Sequence, residues 1–211
     1  MAFGAGMMNR AIFLDRDGVI NTMVYNPEFG LVDSPANPDE FHLLPDAAAA
    51  IRVFKELGFL TVVISNQPGV AKGKFSRTLL QAMTEKMLAC LGQQGAFIDR
   101  VYYCLHHPEG VVEEYREVCD CRKPKPGLLF QAAEELDIDL SQSFFIGDGI
   151  TDVLAGQAAG TRTLLIYPSS RSYIFPELDK HNAKPDYIVN DIWDAAQTIQ
   201  ASEASKNLER G

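Results

Sequence analysis

Two aspartates, Asp15 and Asp17, stand two positions apart in Asp15-Arg16-Asp17-Gly18, directly after the apolar run Ala11-Ile-Phe-Leu14. In extended backbone, residues i and i+2 point to the same side, so both carboxylates can face one pocket while Gly18 lets the chain turn sharply. Close carboxylates repel. Such a pair suits a hard cation such as Mg²⁺, or a division into a charged base and a protonated acid. A solvated Asp-Gly turn would use the same four residues. Other parts of the chain favour the chemical reading. Gly147-Asp148-Gly149-Ile150-Thr151-Asp152 supplies further acids after another apolar run. Asp15 and Asp148 suffice for Mg²⁺, which takes one or two carboxylates beside water and phosphate oxygens, with Asp152 holding the loop behind them. Arg122-Lys123-Pro124-Lys125 places cations beside a helix start at Pro126-Gly127, a favourable position for an anion. Ser65-Asn66-Gln67 supplies short hydrogen-bond donors. Carboxylates, a metal, a lysine and a hydroxyl together suit phosphoryl transfer, where catalysis is mostly positioning and charge neutralisation.

A second cluster is built from sulfur. Of four cysteines, Cys104, Cys119 and Cys121 fall within 18 residues, and the loop also carries His106. Three thiolates and an imidazole make the closed tetrahedral set of a structural zinc site. His107 is an alternative ligand to His106. The Cys-x-His and Cys-x-Cys spacings differ from the zinc-finger pattern, so a loop of reduced cysteines stays open as the plainer reading. Cys90 sits at apolar spacing in a helical stretch and reads as core.

These groups need elements to position them. Ala11–Leu14, Leu60–Ile64, Arg100–Tyr103, Phe144–Ile146, Thr163–Tyr167 and Tyr187–Val189 read as strands. Ala47–Leu57, Arg77–Leu91, Gly127–Leu136, Asp152–Ala159 and Ile192–Gln200 read as helices, with Ser76 capping the second and Gly58 ending the first. Such alternation predicts a three-layer α/β/α, Rossmann-like fold with a mainly parallel central sheet. Asp15, Ser65, Cys104 and Asp148 all fall at carboxyl ends of the strands, the edge where open parallel sheets bind ligands. The segments Thr22–Leu44 and His106–Gly127 interrupt the rhythm. One domain over residues 1–211 is expected, with a core over about residues 11–200, a zinc loop over 104–121 and a fraying tail over 201–211.

Bulk composition narrows the classes. With 28 acids against 19 bases, the net charge of −9 argues against nucleic acid as a partner. No apolar run approaches the roughly 18 residues of a membrane span, and residues 1–10 lack the pattern of a signal peptide. A cytoplasmic monomer with no membrane partner is the default expectation.

The run Phe13-Leu-Asp-Arg-Asp-Gly-Val-Ile-Asn21, with Ser65, Lys123 and Gly147–Asp152 following in order, resembles the four motifs of the haloacid dehalogenase (HAD) superfamily. The resemblance implies a minimal cap and an Asp15 nucleophile that forms a phosphoaspartate. It implies that Asp17 protonates the leaving oxygen and then activates water, and that Ser65 and Lys123 hold phosphoryl oxygens. Asp15, the Asp17 carbonyl and Asp148 would surround Mg²⁺. The loop CLHHPEGVVEEYREVCDCRKPKPG is similar to that of the heptose bisphosphate phosphatases, with histidinol phosphate or another small phosphomonoester as the alternative substrate. A small phosphorylated sugar is therefore the implied partner, with Zn²⁺ structural. A sugar with two phosphates needs a second cationic site: Arg122 first, then Lys72 and Lys74. Asn21, Asn66 and Gln67 are further candidates for substrate binding. Two departures are Gly149, where those phosphatases often carry a base, and the long Thr22–Leu44 segment. A non-catalytic, zinc-stabilised binding module would not need Asp15, Asp17, Lys123 and Asp148 together.

Overall fold

Strand β1, Ala11–Leu14, is apolar on both faces and wholly buried, so it must lie inside a sheet covered on both sides. A computed structural model describes residues 8–27, 30–167 and 174–209. Along the chain, β1 is followed by β2 (Val24–Asn26), β3 (Leu31–Asp33), α1 (Ala47–Glu56), β4 (Leu60–Asn66), α2 (Arg77–Gln93) and β5 (Arg100–Cys104). The second half comprises α3 (Gly127–Leu136), β6 (Phe144–Gly147), α4 (Ile150–Ala159), β7 (Arg162–Ile166), α5 (Ile174–Lys180), β8 (Tyr187–Val189) and α6 (Ile192–Glu209).

The described residues form a six-stranded sheet in the order β5-β4-β1-β6-β7-β8, parallel at every pairing. The two-residue period of β1 divides the core. Ile12 and Leu14 pack with Phe54, Met83 and Ile199 from α1, α2 and α6 on one face. Ala11 and Phe13 pack with Leu128, Leu129 and Ala155 from α3 and α4 on the other. The expected three-layer arrangement follows directly. The chain leaves β1 through β4 to β5, then returns to β1's opposite side as β6. That reversal opens a crevice at the strand ends, the switch point at which such sheets bind ligands.

Local signals explain the helix ends. The Ser76 side chain accepts from Leu79 N at the start of α2, and Gly58 takes φ +80° after α1. Three features depart from the expectations. Thr22–Leu44 contains the antiparallel hairpin β2–β3, whose strands are too short to show periodicity. Helix α5 was not foreseen. The tail expected to fray over 201–211 is helical to Glu209, while residues 210–211 lie outside the described part. The cause is Glu203, which is buried and ion-paired with Arg10 and Arg162, so the last turns are tied to the sheet's far edge.

Candidate active site

The ends of β1, β4 and β6 converge, and the loop after β5 reaches across them. Asp15 follows β1, Ser65 lies near the end of β4, and Asp148 and Asp152 flank the start of α4. Lys123 comes from the loop between β5 and α3, and its ammonium is almost completely buried. Lys123 Nζ lies 3.0 Å from Asp15 Oδ1 and 2.5 Å from Asp152 Oδ1, and donates to the Ile64 carbonyl at 3.0 Å. Ser65 adds a hydroxyl beside Asp15. Asn66 fixes the lysine's backbone from both sides: its Nδ2 donates to Lys123 O and its Oδ1 accepts from Lys123 N, each at 3.1 Å.

One carboxylate oxygen each from Asp15, Asp148 and Asp152 falls within 4.8 Å of the others. Burial raises Asp15, Lys123 pulls it back, and Asp152 and Asp17 push it up again, leaving the carboxyl at about 6. Asp148 is pushed up to about 8 by burial, then by Asp15 and Asp152. Burial opposes the Lys123 charge, but Asp15 and Asp152 outweigh it and hold the ammonium above its ordinary range. Three crowded acids with a single ammonium form a set that a hard divalent cation would relieve. Two glycines make the crowding possible. A Cβ on Gly18, at φ +82°, would stand 2.1 Å from Asp148 Oδ2. One on Gly147 would meet the Asp152 side chain at 2.2 Å.

Asp17 is held apart from this trio. Its Oδ1 accepts from Arg16 Nε (3.1 Å), Arg16 Nη2 (2.9 Å) and Asn21 Nδ2 (2.9 Å). Its Oδ2 accepts from Arg16 Nη2 (3.0 Å) and Gln67 Nε2 (2.8 Å), and the same Gln67 amide donates to Ser65 Oγ at 3.1 Å. Three candidates for sugar contact have amide nitrogens engaged within the protein. Asn21 and Gln67 are fully buried with their amides committed to Asp17, and Asn66 is spent on Lys123. In these positions Asn21 and Gln67 brace Asp17, and Asn66 braces Lys123.

Arg122 remains at the rim. It donates to His106 O at 3.3 Å and has no carboxylate partner among the described residues; the same holds for Lys72. The backbone of the cysteine-bearing loop is stitched to the residue before Lys72 by Val111 N and Val112 N donating to Ala71 O at 2.8 and 2.9 Å. His107 is held below its ordinary value by desolvation, then by the nearby charges of Lys72 and Arg122. Lys74 instead pairs with Asp33 of the β2–β3 hairpin.

In the sulfur cluster, Sγ atoms of Cys104, Cys119 and Cys121 lie 3.1–3.6 Å apart, and His106 Nδ1 is 3.3 Å from Cys121 Sγ and 4.0 Å from Cys104 Sγ. A disulfide would need about 2.05 Å. Four ligands around zinc at about 2.0–2.3 Å would have edges of roughly 3.4–3.8 Å, close to these separations. His106 faces the cluster; His107 turns its Nδ1 to the Glu109 amide at 3.1 Å. Burial, then the neighbouring sulfurs, raise Cys121, and burial also raises Cys104. Cys119 is lowered despite its burial by hydrogen bonds from Cys121 and His106. His106 Nε2 lies 3.2 Å from Glu117 Oε1, the arrangement by which an outer carboxylate would orient the imidazole towards a metal. The spacing of Cys and His gave no sign of Glu117, because its role depends on how the loop folds back.

The comparisons with known proteins agree with this geometry. The HAD-hydrolase-like family model matches residues 120–195. The chain is 39% identical over 193 residues to D-glycero-β-D-manno-heptose-1,7-bisphosphate 7-phosphatase of Escherichia coli K12, covering 92% of this chain and 95% of that protein. The chain belongs to the HAD-like phosphatases. The Pasteurella multocida enzyme of the same name is 37% identical, with 92% of this chain and 98% of that protein covered. Among solved structures, the D,D-heptose 1,7-bisphosphate phosphatase of B. bronchiseptica, complexed with magnesium and phosphate, superposes with a TM-score of 0.73. It is 28% identical and covers 92% of this chain and 99% of its own. In this HAD-like phosphatase, all the family motifs quoted above lie at one sheet edge.

Proposed function

We propose that the chain hydrolyses the 7-phosphate of D-glycero-D-manno-heptose 1,7-bisphosphate, giving heptose 1-phosphate and phosphate. The observation that carries the phosphatase reading is the buried junction of Lys123 with Asp15 and Asp152 beside Asp148. The relatives' shared name supports the sugar.

Asp15 is the nucleophile. Its free carboxylate oxygen attacks phosphorus, the bond from phosphorus to the sugar oxygen breaks, and that oxygen takes a proton from Asp17. Asp17 then draws a proton from water, whose oxygen attacks phosphorus and releases Asp15. Lys123 and Ser65 hold the non-bridging oxygens. Asp15, the Asp17 carbonyl and Asp148 would hold Mg²⁺, with Asp152 behind them. The cation, when bound, neutralises charge on the transferring group. Cys104, His106, Cys119 and Cys121 would hold Zn²⁺ as an architectural ion that keeps Arg122 and Lys123 against the pocket. Arg122 and Lys72, both without acid partners among the described residues, supply a site for the second phosphate.

The reading takes the chain as one domain acting as a monomer on a small sugar phosphate. No described helix is long and apolar enough to cross a membrane. Phosphate release with Mg²⁺ from heptose 1,7-bisphosphate, histidinol phosphate and fructose 1,6-bisphosphate tests it, with Asp15→Asn as blank. A preference of at least about 100-fold in kcat/KM for the heptose, about 2.7 kcal/mol of discrimination, is expected. Comparable rates on all three would discard the heptose.

A further inference from the structure

A cavity of about 530 Å³ opens beside Asp148, on the β7–β8 side of the sheet and away from the cysteine-bearing loop. Gly18 and Asp148 line it at the catalytic edge, while Asp46, just before α1, and Asp191, just before α6, line it at the surface. The exposed hairpin residue Val32 forms part of its outer wall. Every charged residue around this cavity is an acid. Asp46 and Asp191 are exposed and have no ion-pair partner among the described residues. Asp148 is mostly buried, and it too takes no hydrogen bond or ion pair among the described residues. Exposed acids alone would be a solvated surface. Here a cavity connects them to an unpartnered carboxylate inside the protein.

The other side of β1 has the reverse charge. Lys72 and Arg122 come from the loops after β4 and β5, and neither meets a carboxylate among the described residues. A sugar bisphosphate is drawn to that side and repelled by the acid-lined cavity. For Mg²⁺ the preference is opposite. The ion gives up water reluctantly, so it has to arrive largely hydrated and exchange waters for carboxylates at the site. Six waters at about 30 Å³ each occupy about 180 Å³. The cavity holds that volume with room to spare.

We propose that this cavity is a separate entrance for the cation: Asp46 and Asp191 concentrate hydrated Mg²⁺ at its mouth and Asp148 receives it, while substrate enters past Arg122 and Lys72. The inference rests on the cation site of Asp15 and Asp148 in the proposed function. Two entrances of opposite charge let the metal load whether or not the sugar phosphate is in place. A cleft lined by one sign of charge raises the association rate of its counter-ion by about 10–10³-fold, and salt removes the gain.

The test reads binding rates rather than turnover. Full-length protein loaded with Mg²⁺ and mixed with excess chromophoric chelator gives koff; calorimetric titration gives Kd, and their ratio gives kon. The double variant Asp46→Asn, Asp191→Asn keeps both local structures. Asn tolerates the left-handed φ of +61° at position 46, and it can cap α6 as Asp191 does by accepting from Asp194 N at 2.8 Å. At about 0.01 M ionic strength this variant should lower kon by about tenfold with koff changed by less than about twofold, and the difference should fade near 1 M salt. Val32→Trp obstructs the wall without changing charge, so association and release should slow by the same factor while Kd stays. It carries the test if the double variant does not fold. A kon indifferent to these variants, a weakened Kd that comes wholly from koff, or a kon that responds to Lys72→Gln in their place would overturn the proposal. Asp148→Asn separates the two claims. If it binds Mg²⁺ as the wild type does, the cation-site reading falls; if it loses Mg²⁺ while kon ignores Asp46, Asp191 and Val32, the entrance alone falls.

Discussion

Asp15 and Lys123 meet at 3.0 Å inside the protein, although one follows the first strand and the other lies two residues beyond Cys121. Neither would be buried alone. The lysine is held by Asp15, Asp152 and the Ile64 carbonyl, and its backbone is clasped by Asn66. The contact joins the phosphoryl-transfer site to the loop that the sulfur cluster shapes.

Removing the ammonium should therefore damage both chemistry and stability. Lys123→Met should lower kcat by about 10²–10³-fold, the usual effect of deleting one fixed donor at a developing charge. In chelator it should also destabilise the fold by about 3–5 kcal/mol, as the acids lose their buried partner. Steady-state kinetics and urea unfolding measure the two effects separately.

Gly18→Ala would place a methyl 2.1 Å from Asp148 Oδ2 in a backbone conformation at φ +82°. The strain costs about 1–2 kcal/mol, and Asp148 has to move. Magnesium titration followed by calorimetry should show affinity reduced by at least about tenfold (about 1.4 kcal/mol) with the fold retained. Unchanged affinity would remove Asp148 from the cation site.

The pH dependence has a definite sign. Asp148 is raised from 3.8 to about 8 and Asp15 from 3.8 to about 6, so the native protein without a cation holds more protons than the unfolded chain between those values. Their contribution to stability is complete below about pH 3.8 and is lost as pH rises towards about 8. In chelator, Tm should fall between about pH 4 and 8, where the unfolded chain has lost these protons and the native protein still holds them, and level off above about 8. Mg²⁺ should raise Tm most at the alkaline end, and Asp148→Asn should flatten the slope. A Tm independent of pH in chelator would contradict the crowded-acid description.

Zinc is expected to act through architecture. Glu117→Gln, which keeps the shape but removes the charge 3.2 Å from His106 Nε2, should weaken zinc binding by about 10–100-fold. Competition with a chromophoric chelator measures this directly. Cys121→Ser should lose zinc and, with it, most of the phosphatase activity, because Arg122 and Lys123 follow immediately in the chain. Full activity in a zinc-free sample would show that the loop holds its shape unaided.

The strands and most helix limits were legible in the sequence because they depend on local polarity. Ala11–Leu14 is buried whichever neighbours it has, and Ser76 caps its helix from three residues away. The order of Asp15, Ser65, Lys123 and Asp148 was legible for the same reason: each follows or borders a recognisable strand or helix start. The hairpin over Val24–Asp33 was not, since strands of three residues carry no period. Nor was the final part of α6, whose buried Glu203 answers Arg10 at the opposite end of the chain and Arg162 at the start of β7.

By itself, the sequence determined which chemical groups stand at the sheet's carboxyl edge, and that three sulfurs and an imidazole share one loop. Only the tertiary structure decided how each group is spent. It directs the amides of Asn21 and Gln67 to Asp17, Asn66 to Lys123, and the Arg16 guanidinium inward. It also turns His106 rather than His107 to the sulfurs. The reason is physical: a residue's type states what it can donate or accept, but hydrogen bonds form over about 3 Å, and only folding brings partners from separate strands within that distance.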